Sequence, residues 1–327
     1  MSDTIDTRLA PADFVAIADA ALRLAGGGLV AFPTETVYGL GADATNGPAI
    51  ARLYAAKGRP SFNPLIAHVF DLAAARRLAM FDTAAEKLAT AFWPGPLTLV
   101  LKKRAGCAVA ELATAGLDSI AVRVPQHPVA LGILSRLGRP VVAPSANRSG
   151  HVSPTTAQHV CSDLDGRIDL ILDGGATDVG IESTIVSCLD VSTLLRPGGL
   201  PREDIERVLD HALLDSEQPM ADDAPLAPGM LASHYAPKAR VRLNAENIQP
   251  GEALLAFGLG AISGIDEAAA VLNLSARGDL DEAAANLFGH LRALDAEGAE
   301  MIAVMPIPND GLGEAINDRL RRAARAP

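Results

Sequence analysis

Short apolar runs, each closed by turn residues and separated by helical stretches, constrain this chain more than any other feature. LVAF (29–32), LIAHV (65–69), LTLVL (97–101), SIAVRV (119–124), PVVA (140–143), DLILD (169–173) and STIVSC (183–188) are too short for helices and rich in branched residues, as buried strands are. A first helix is expected to start near Pro11–Asp13, with Phe14, Ile17, Ala18, Ala21 and Leu22 at helical spacing, and to stop at the glycines 26–28. Pro48 suits the first turn of a helix through Lys57. Further helices are expected near 71–92, 128–137, 155–163 and 202–213. This alternation predicts an α/β or mixed α+β fold, and the uneven strand spacing predicts a mixed sheet.

Residues 214–238 break the pattern with prolines and an acidic run, and read as a linker loop that returns to the active site through its His and Tyr. After 239 the alternation resumes. VRL, EALLAF, AVLNL and MIAVMP are strand-like, and 279–298 is an amphipathic helix with Leu280, Ala283, Ala284, Leu287, Leu291 and Leu294 on its apolar stripe. A second helix follows at 311–324. The expected division is therefore a larger α/β unit over the first two-thirds, the linker 214–238, and a small α/β domain over 239–327.

Composition narrows the function. With 49% apolar residues and only 4% aromatics, the core must be aliphatic and rich in alanine. A net charge of −11 argues against a constitutive nucleic-acid binder, although a local basic pocket for a small anion is still possible. The three cysteines, Cys107, Cys161 and Cys188, are widely spaced and form no CxxC pair, so isolated thiols are expected rather than a zinc or disulfide framework. The N-terminus has no signal-peptide character, and the most apolar stretch, 253–265, is short and broken by glycines. The cytoplasm is the expected compartment, with no membrane contact.

No GK dipeptide, HExxH or GxSxG occurs, and GLGAISG (258–264) has the wrong spacing for a dinucleotide fingerprint. Polar residues gather elsewhere. AFPTETVYGLG (31–41) brings hydroxyls to the end of an apolar strand; a ligand site and a capped strand-to-helix turn explain it equally well. In KGRPSFNPLIAH (57–68), Lys57 and Arg59 could neutralise a triphosphate, with Asn63 and His68 on either side of the strand start. Ser119 and Arg123 share one face of their strand, and the buried arginine needs either an internal carboxylate or a ligand carboxylate. APSANRSGHVSPTT (143–156) runs from a strand into a helix start, a natural anion site, and holds Ser145, Asn147 and Ser153. Glu182, Ser183 and Thr184 begin another strand, and Arg196 precedes a Pro-Gly turn. Together these segments suggest an ATP-using enzyme if they converge on one crevice.

PTETVYGLG, KGRP with NPL, WPGPLTLVL, AVRVP, PSANRSG with SPT, ESTIV and LRPG, in that order, resemble the YrdC-like family over about residues 13–201. APGMLASHYAPK and the tail are similar to its two-domain form, the threonylcarbamoyl-AMP synthases. The resemblance implies a twisted mixed sheet around a basic crevice, with a small Rossmann-like second domain. It also implies that L-threonine, bicarbonate and ATP give threonylcarbamoyl-AMP and pyrophosphate, and that the product goes to a tRNA-modifying transferase complex. By position, it implies Thr36, His68, Arg123, the Ala143 backbone and Ser183 at the threonine and bicarbonate end. Arg59, Asn63, Ser119, Ser145, Asn147, Ser153 and Arg196 would hold ATP, with Tyr235 closing over the nucleotide. Lys57 and Arg59 are the expected catalytic charges. No dedicated metal cage is expected, so Mg²⁺ would ride on the ATP phosphates. Two other readings are an RNA-binding module of the same fold without adenylyl transfer, which the charge disfavours, and a carbamoyl-transfer subunit, which would bring further segments.

Overall fold

The computed structural model describes residues 5–216, 235–260 and 262–325. Most of the expected linker, 217–234, lies outside the described residues, as does Ala261 of GLGAISG. The first sheet contains β1 (Arg8–Pro11), β2 (Val30–Pro33), β3 (Tyr38–Asp43), β4 (Ile66–His68), β5 (Leu97–Lys102) and β6 (Ser119–Arg123). It continues with β7 (Val141–Val142), β8 (Leu170–Asp173), β9 (Thr184–Ser187), β10 (Thr193–Arg196) and β11 (Leu214–Asp215). Their spatial order is β1-β8-β2-β3-β7-β4-β6-β5-β9-β10-β11. Parallel pairs such as β4–β6 and β5–β9 alternate with antiparallel pairs such as β5–β6 and β4–β7, so the sheet is mixed as expected.

The helices of this unit are α1 (Phe14–Ala25), α2 (Gly47–Lys57), α3 (Leu72–Leu78), α4 (Thr83–Phe92), α5 (Pro128–Leu137), α6 (Ala157–Leu164) and α7 (Arg202–Leu209). The helical stretch expected as one over 71–92 is two helices. Asp82 accepts from Ala85 N at 2.8 Å and caps a second start, just as Asp71 caps the first. On α1 the buried residues are Ala16, Ala20, Ala21 and Leu24, while Phe14 and Leu22 face outward. The helix packs closely on α5 through its small residues, and Arg136 covers the Phe14 ring at 4.5 Å. Strand β3 was not expected from the sequence because glycine is a poor strand former. Here Gly41 is required, since a Cβ would lie 2.6 Å from the Phe32 ring.

The second unit is a four-stranded parallel sheet of β12 (Arg240–Arg242), β13 (Ala253–Ala256), β14 (Ala270–Asn273) and β15 (Met301–Val304), in the order β12-β15-β13-β14. α8 (Leu280–Ala296) and α9 (Leu312–Ala323) pack on it, with the expected α8 residues Ala283, Ala284, Leu287, Leu291 and Leu294 buried and Leu280 half-buried. This core also takes in Val37, Val152 and Ile181 of the first unit and Tyr235. The two units therefore share apolar packing. Gly180, at φ +76, lies so close to α8 that a Cβ would sit 2.4 Å from Ala284 O. No helix among the described residues is long and apolar enough to cross a membrane.

Burial on the large sheet decides where a site can form. One face is covered by α2, α3, α4, α6 and α7, which pack on Ala67, Leu99, Ile120, Val122 and Val186. On the other face, α1 and α5 cover β2 and β8. Over β4, β5, β6 and β9 that same face carries only the small cluster Ile66, Val100, Ala121, Ile185 and Leu195. Strand alternation places His68 beside Ile66 and Arg123 beside Ala121, on the side free of helices.

Candidate active site

A cavity of about 50 Å³ opens on this face, lined by Thr36, Val37, Arg59, Ile66, His68, Arg123, Ala143, Pro144, Ser145, Glu182, Ser183, Arg196 and Tyr235. A roomier hollow of about 600 Å³, lined by Phe70, Arg77 and Arg139 among others, contains none of these residues. Its size does not make it the site, because the converging charges are in the smaller cavity.

Thr36 sits in the turn between β2 and β3, which pair antiparallel from Pro33↔Tyr38. The segment is thus a buried hairpin turn and not the strand-to-helix turn that was the alternative. Thr34 Oγ1 ties it by donating to Val37 O at 2.8 Å, and Thr34 and Thr36 share a hydroxyl contact of 2.8 Å. Arg123 Nη2 donates to Thr36 Oγ1 at 3.0 Å and to Glu35 Oε1 at 2.6 Å. The internal carboxylate that the buried arginine required is therefore Glu35, whose other oxygen accepts from Gln126 N at 3.0 Å. His68 is buried and makes a 3.2 Å contact from Nδ1 to Ile66 O. Burial, with Arg123 nearby, pushes its pKa down to about 3, so its ring is neutral.

At the other end Arg59 is 9% and Arg196 4% exposed. Arg59 Nη2 donates to Pro64 O at 3.2 Å, and its Nε has no hydrogen-bond partner among the described residues. Burial lowers its pKa to about 10, which leaves it charged. Arg196 donates through Nε and Nη2 to Ser183 O at 3.2 and 2.7 Å. Ser183 Oγ lies 2.8 Å from Thr98 Oγ1. The turn after Arg196 lies against the Glu182–Thr184 backbone, and a Cβ on Gly198 would come within 2.4 Å of Glu182 O.

Lys57 is turned into the protein. Its Nζ donates to the carbonyls of Ser145, at 2.5 Å, and Asn147. Burial, and then Arg59, lowers its pKa well below the ordinary lysine value. It thus braces the loop that carries Ser145. Asn147 donates through Nδ2 to Arg148 O and His151 O, both at 2.8 Å, while its buried Oδ1 has no partner among the described residues. Asn63 does not line the cavity, and among the described residues neither its Nδ2 nor its Oδ1 has a hydrogen-bond partner. Orphaned polar atoms are rare in folded proteins, and a cluster beside buried cations suits a polar anionic ligand.

Ser153 donates to Glu182 Oε1 behind the lining. Ser119 shares a sheet face with Arg123 but is four residues away, about 13 Å along the strand, and it does not line the cavity. Tyr235 closes one wall. It is 1% exposed and stacked on Phe288 of α8, with ring centroids 5.6 Å apart.

Glu35 and Glu182 were not among the site residues expected from the sequence. Glu35 could have been found by asking which carboxylate inside PTETVYGLG neutralises Arg123. Glu182 gave only the weak signal of a polar strand start. Among the described residues no group of three His, Cys, Asp or Glu could hold a metal ion.

Comparison with known proteins shows the family of the whole chain. A family model for Sua5, YciO and YrdC, described as "Telomere recombination", matches residues 23–198. One described as "Threonylcarbamoyl-AMP synthase, C-terminal domain" matches residues 200–325. The threonylcarbamoyl-AMP synthase of Bacillus subtilis is 42% identical over 94% of this chain and 92% of its own. That of Pyrococcus abyssi is 43% identical over 91% of each chain. The crystal structure of P. abyssi Sua5 complexed with L-threonine superposes with a TM-score of 0.87, at 39% identity, over 98% of this chain and 97% of that one.

Proposed function

The chain belongs to the Sua5–YciO–YrdC family, in the form that carries the C-terminal domain of threonylcarbamoyl-AMP synthases, and we propose that it makes threonylcarbamoyl-AMP from L-threonine, bicarbonate and ATP. It is an enzyme of the nucleotidyltransferase type. The observation that carries the reading is the meeting of Arg59, Arg123 and Arg196, all buried, in one cavity, with the Arg59 Nε lacking a hydrogen-bond partner among the described residues.

Threonine and bicarbonate first lose water to give the N-carbamate. A carbamate oxygen then attacks the α-phosphorus of ATP, a new P–O bond forms, and the bond to the β-phosphate oxygen breaks to release pyrophosphate. The carbamate is unstable in water, so a site that excludes water around it helps. Arg123 and Thr36 suit the threonine carboxylate, with the neutral His68 as a polar neighbour that adds no charge. Arg59 and Arg196 suit the phosphates. Catalysis is then chiefly positioning and charge neutralisation, and needs no nucleophilic side chain. Lys57 contributes by fixing the Ser145–Asn147 loop. Glu182 is the one carboxylate in the lining among the described residues, and Ser153 and Arg319 engage it. Mg²⁺ would therefore arrive on the phosphates and supply charge neutralisation there.

The product would pass to a transferase that modifies tRNA, in the cytoplasm. The test is pyrophosphate release from ATP with threonine and bicarbonate each omitted in turn. Dependence on both is expected; a rate indifferent to threonine would exclude the reaction.

A further inference from the structure

The second unit has no role in the chemistry above, yet one of its side chains reaches the cavity wall. Arg319, on α9, is fully buried, and its Nε donates to Glu182 Oε2 at 2.8 Å. Its Nη1 donates to Asp318 Oδ2 at 2.6 Å, and Asp318 also accepts from Arg322 Nε at 3.0 Å. The Arg319 guanidinium lies 5.1 Å from the centre of the Tyr235 ring. Glu182 in turn accepts the Ser153 hydroxyl. A continuous polar chain thus runs from α9 through Arg319 and Glu182 to Ser153.

We infer that Arg319 is a positioning residue of the active site, by which the C-terminal unit holds the Glu182 carboxylate, and through it Ser153, while seating Tyr235 over the cavity. The inference rests on the reading above that Ser153 and Tyr235 belong to the nucleotide end.

Three observations set this contact apart from simple cement between the units. Arg202–Glu314, at 2.7 Å, and Arg292–Asp163, at 3.0 Å, also bridge the units. Neither partner of either pair lines the cavity, whereas Glu182 does. Tyr235 has φ +65, a left-handed conformation that costs free energy for a residue with a side chain. Its neighbours hold it there: Phe288 stacks on it, Arg319 lies against its ring, and Ala236 N donates to Gly150 O at 2.9 Å. Finally, burial alone would raise the Glu182 carboxyl, but Arg319, then Arg196 and Ser153, outweigh it and hold Glu182 below the ordinary value. Without Arg319, a buried carboxylate would lose its nearest counter-charge and take up a proton, and Ser153 would lose its anionic acceptor.

The groups that face Glu182 are Arg319 of α9, Arg196 of β10, Ser153 and Tyr235, and Asp318 and Arg322 of α9 lie behind Arg319. In the full-length chain, Arg319→Met removes the charge at similar volume and Arg319→Lys keeps it. Glu182→Gln, alone and combined with Arg319→Met, fixes the carboxyl in a neutral form. Arg319→Met is expected to raise the KM for ATP at least tenfold while the KM for threonine moves less than threefold. Its kcat/KM for ATP should gain an acid limb that the unmodified enzyme lacks. Arg319→Lys should recover at least half of the loss on a logarithmic scale. Glu182→Gln and the double variant should both lack that limb, because the carboxyl at 182 is the group that titrates. The double variant also removes both charges together, so the comparison survives if Arg319→Met folds poorly.

An unchanged KM for ATP in Arg319→Met, a loss without a new pH limb, or a limb that persists in the double variant would each overturn the inference. A second readout needs no ATP. The pH dependence of the urea midpoint between pH 5 and 8 should change in Arg319→Met, and the change should vanish when Glu182→Gln is added. Identical profiles overturn the positioning role, whereas absence of threonine-dependent pyrophosphate release with that profile present overturns only the proposed reaction.

Discussion

Arg123 and Glu35 meet at 2.6 Å with their side chains only 4% and 6% exposed. Two charges taken out of water are tolerable together and costly apart. Arg123→Ala should therefore destabilise the protein by about 3–5 kcal/mol, and adding Glu35→Gln should recover part of that, as equilibrium urea unfolding will measure. In activity, Arg123→Ala should weaken threonine use more than ATP use. The opposite order would reverse the assignment of the two ends of the cavity.

The two glycines Gly198 and Gly47 give opposite expectations. A Cβ at Gly198 would come within 2.4 Å of the Glu182 carbonyl oxygen, the Ser183 carbonyl carbon and the Thr184 nitrogen, all backbone atoms that cannot give way separately. Gly198→Ala should displace the start of β9 and reduce kcat/KM at least a hundredfold or leave the chain insoluble. Gly47, at the start of α2, meets nothing within 4 Å. Gly47→Ala should leave activity unchanged and shift stability by less than about 0.5 kcal/mol, since Gly47 is the first residue of α2 and Pro48 follows it. Equal effects of the two substitutions would contradict the close packing at the Pro-Gly turn.

Elements whose signal is local were legible in the sequence. Strands β4 to β9 were visible as apolar runs, and α5 and α8 as periodic segments with clear stops. The split between α3 and α4 was missed because Asp82 sits inside an apolar rhythm that continues past it. β3 was missed because Gly39 and Gly41 are explained only by what Phe32 and Ala143 do across the sheet. In the site, residue types were readable but their orientation was not. Lys57 and Arg59 are two residues apart, yet one braces a loop while the other faces the cavity. The pairing of Arg319 with Glu182 spans 137 positions between two units, and no spacing rule reaches that far.

His68 supplies a pH prediction. Its folded pKa of about 3 lies below the ordinary 6.5, so the folded state disfavours its proton. The unfolded chain then binds more protons between pH 6.5 and 3. The contribution is fully present above pH 6.5 and is lost as pH falls toward 3, on the order of 1 kcal/mol per pH unit within that window. Urea midpoints at pH 7, 5 and 4 should fall more steeply for the unmodified chain than for His68→Gln. Parallel curves would mean that His68 is protonated in the folded state.

Asn63 offers the sharpest separation of stability from function. It is 1% exposed, and among the described residues neither its Nδ2 nor its Oδ1 has a hydrogen-bond partner. A buried amide left unsatisfied costs about 1–3 kcal/mol, which is acceptable only if a ligand completes it. Asn63→Leu, of similar volume, should therefore match or exceed the unmodified chain in unfolding free energy, by up to about 1 kcal/mol. The same substitution should raise the KM for ATP about tenfold or more, because the ligand loses its partners. ATP should also raise the thermal midpoint of the unmodified chain more than that of the variant. A loss of stability with unchanged ATP use would show Asn63 to be a structural residue, and the nucleotide end would have to be drawn without it.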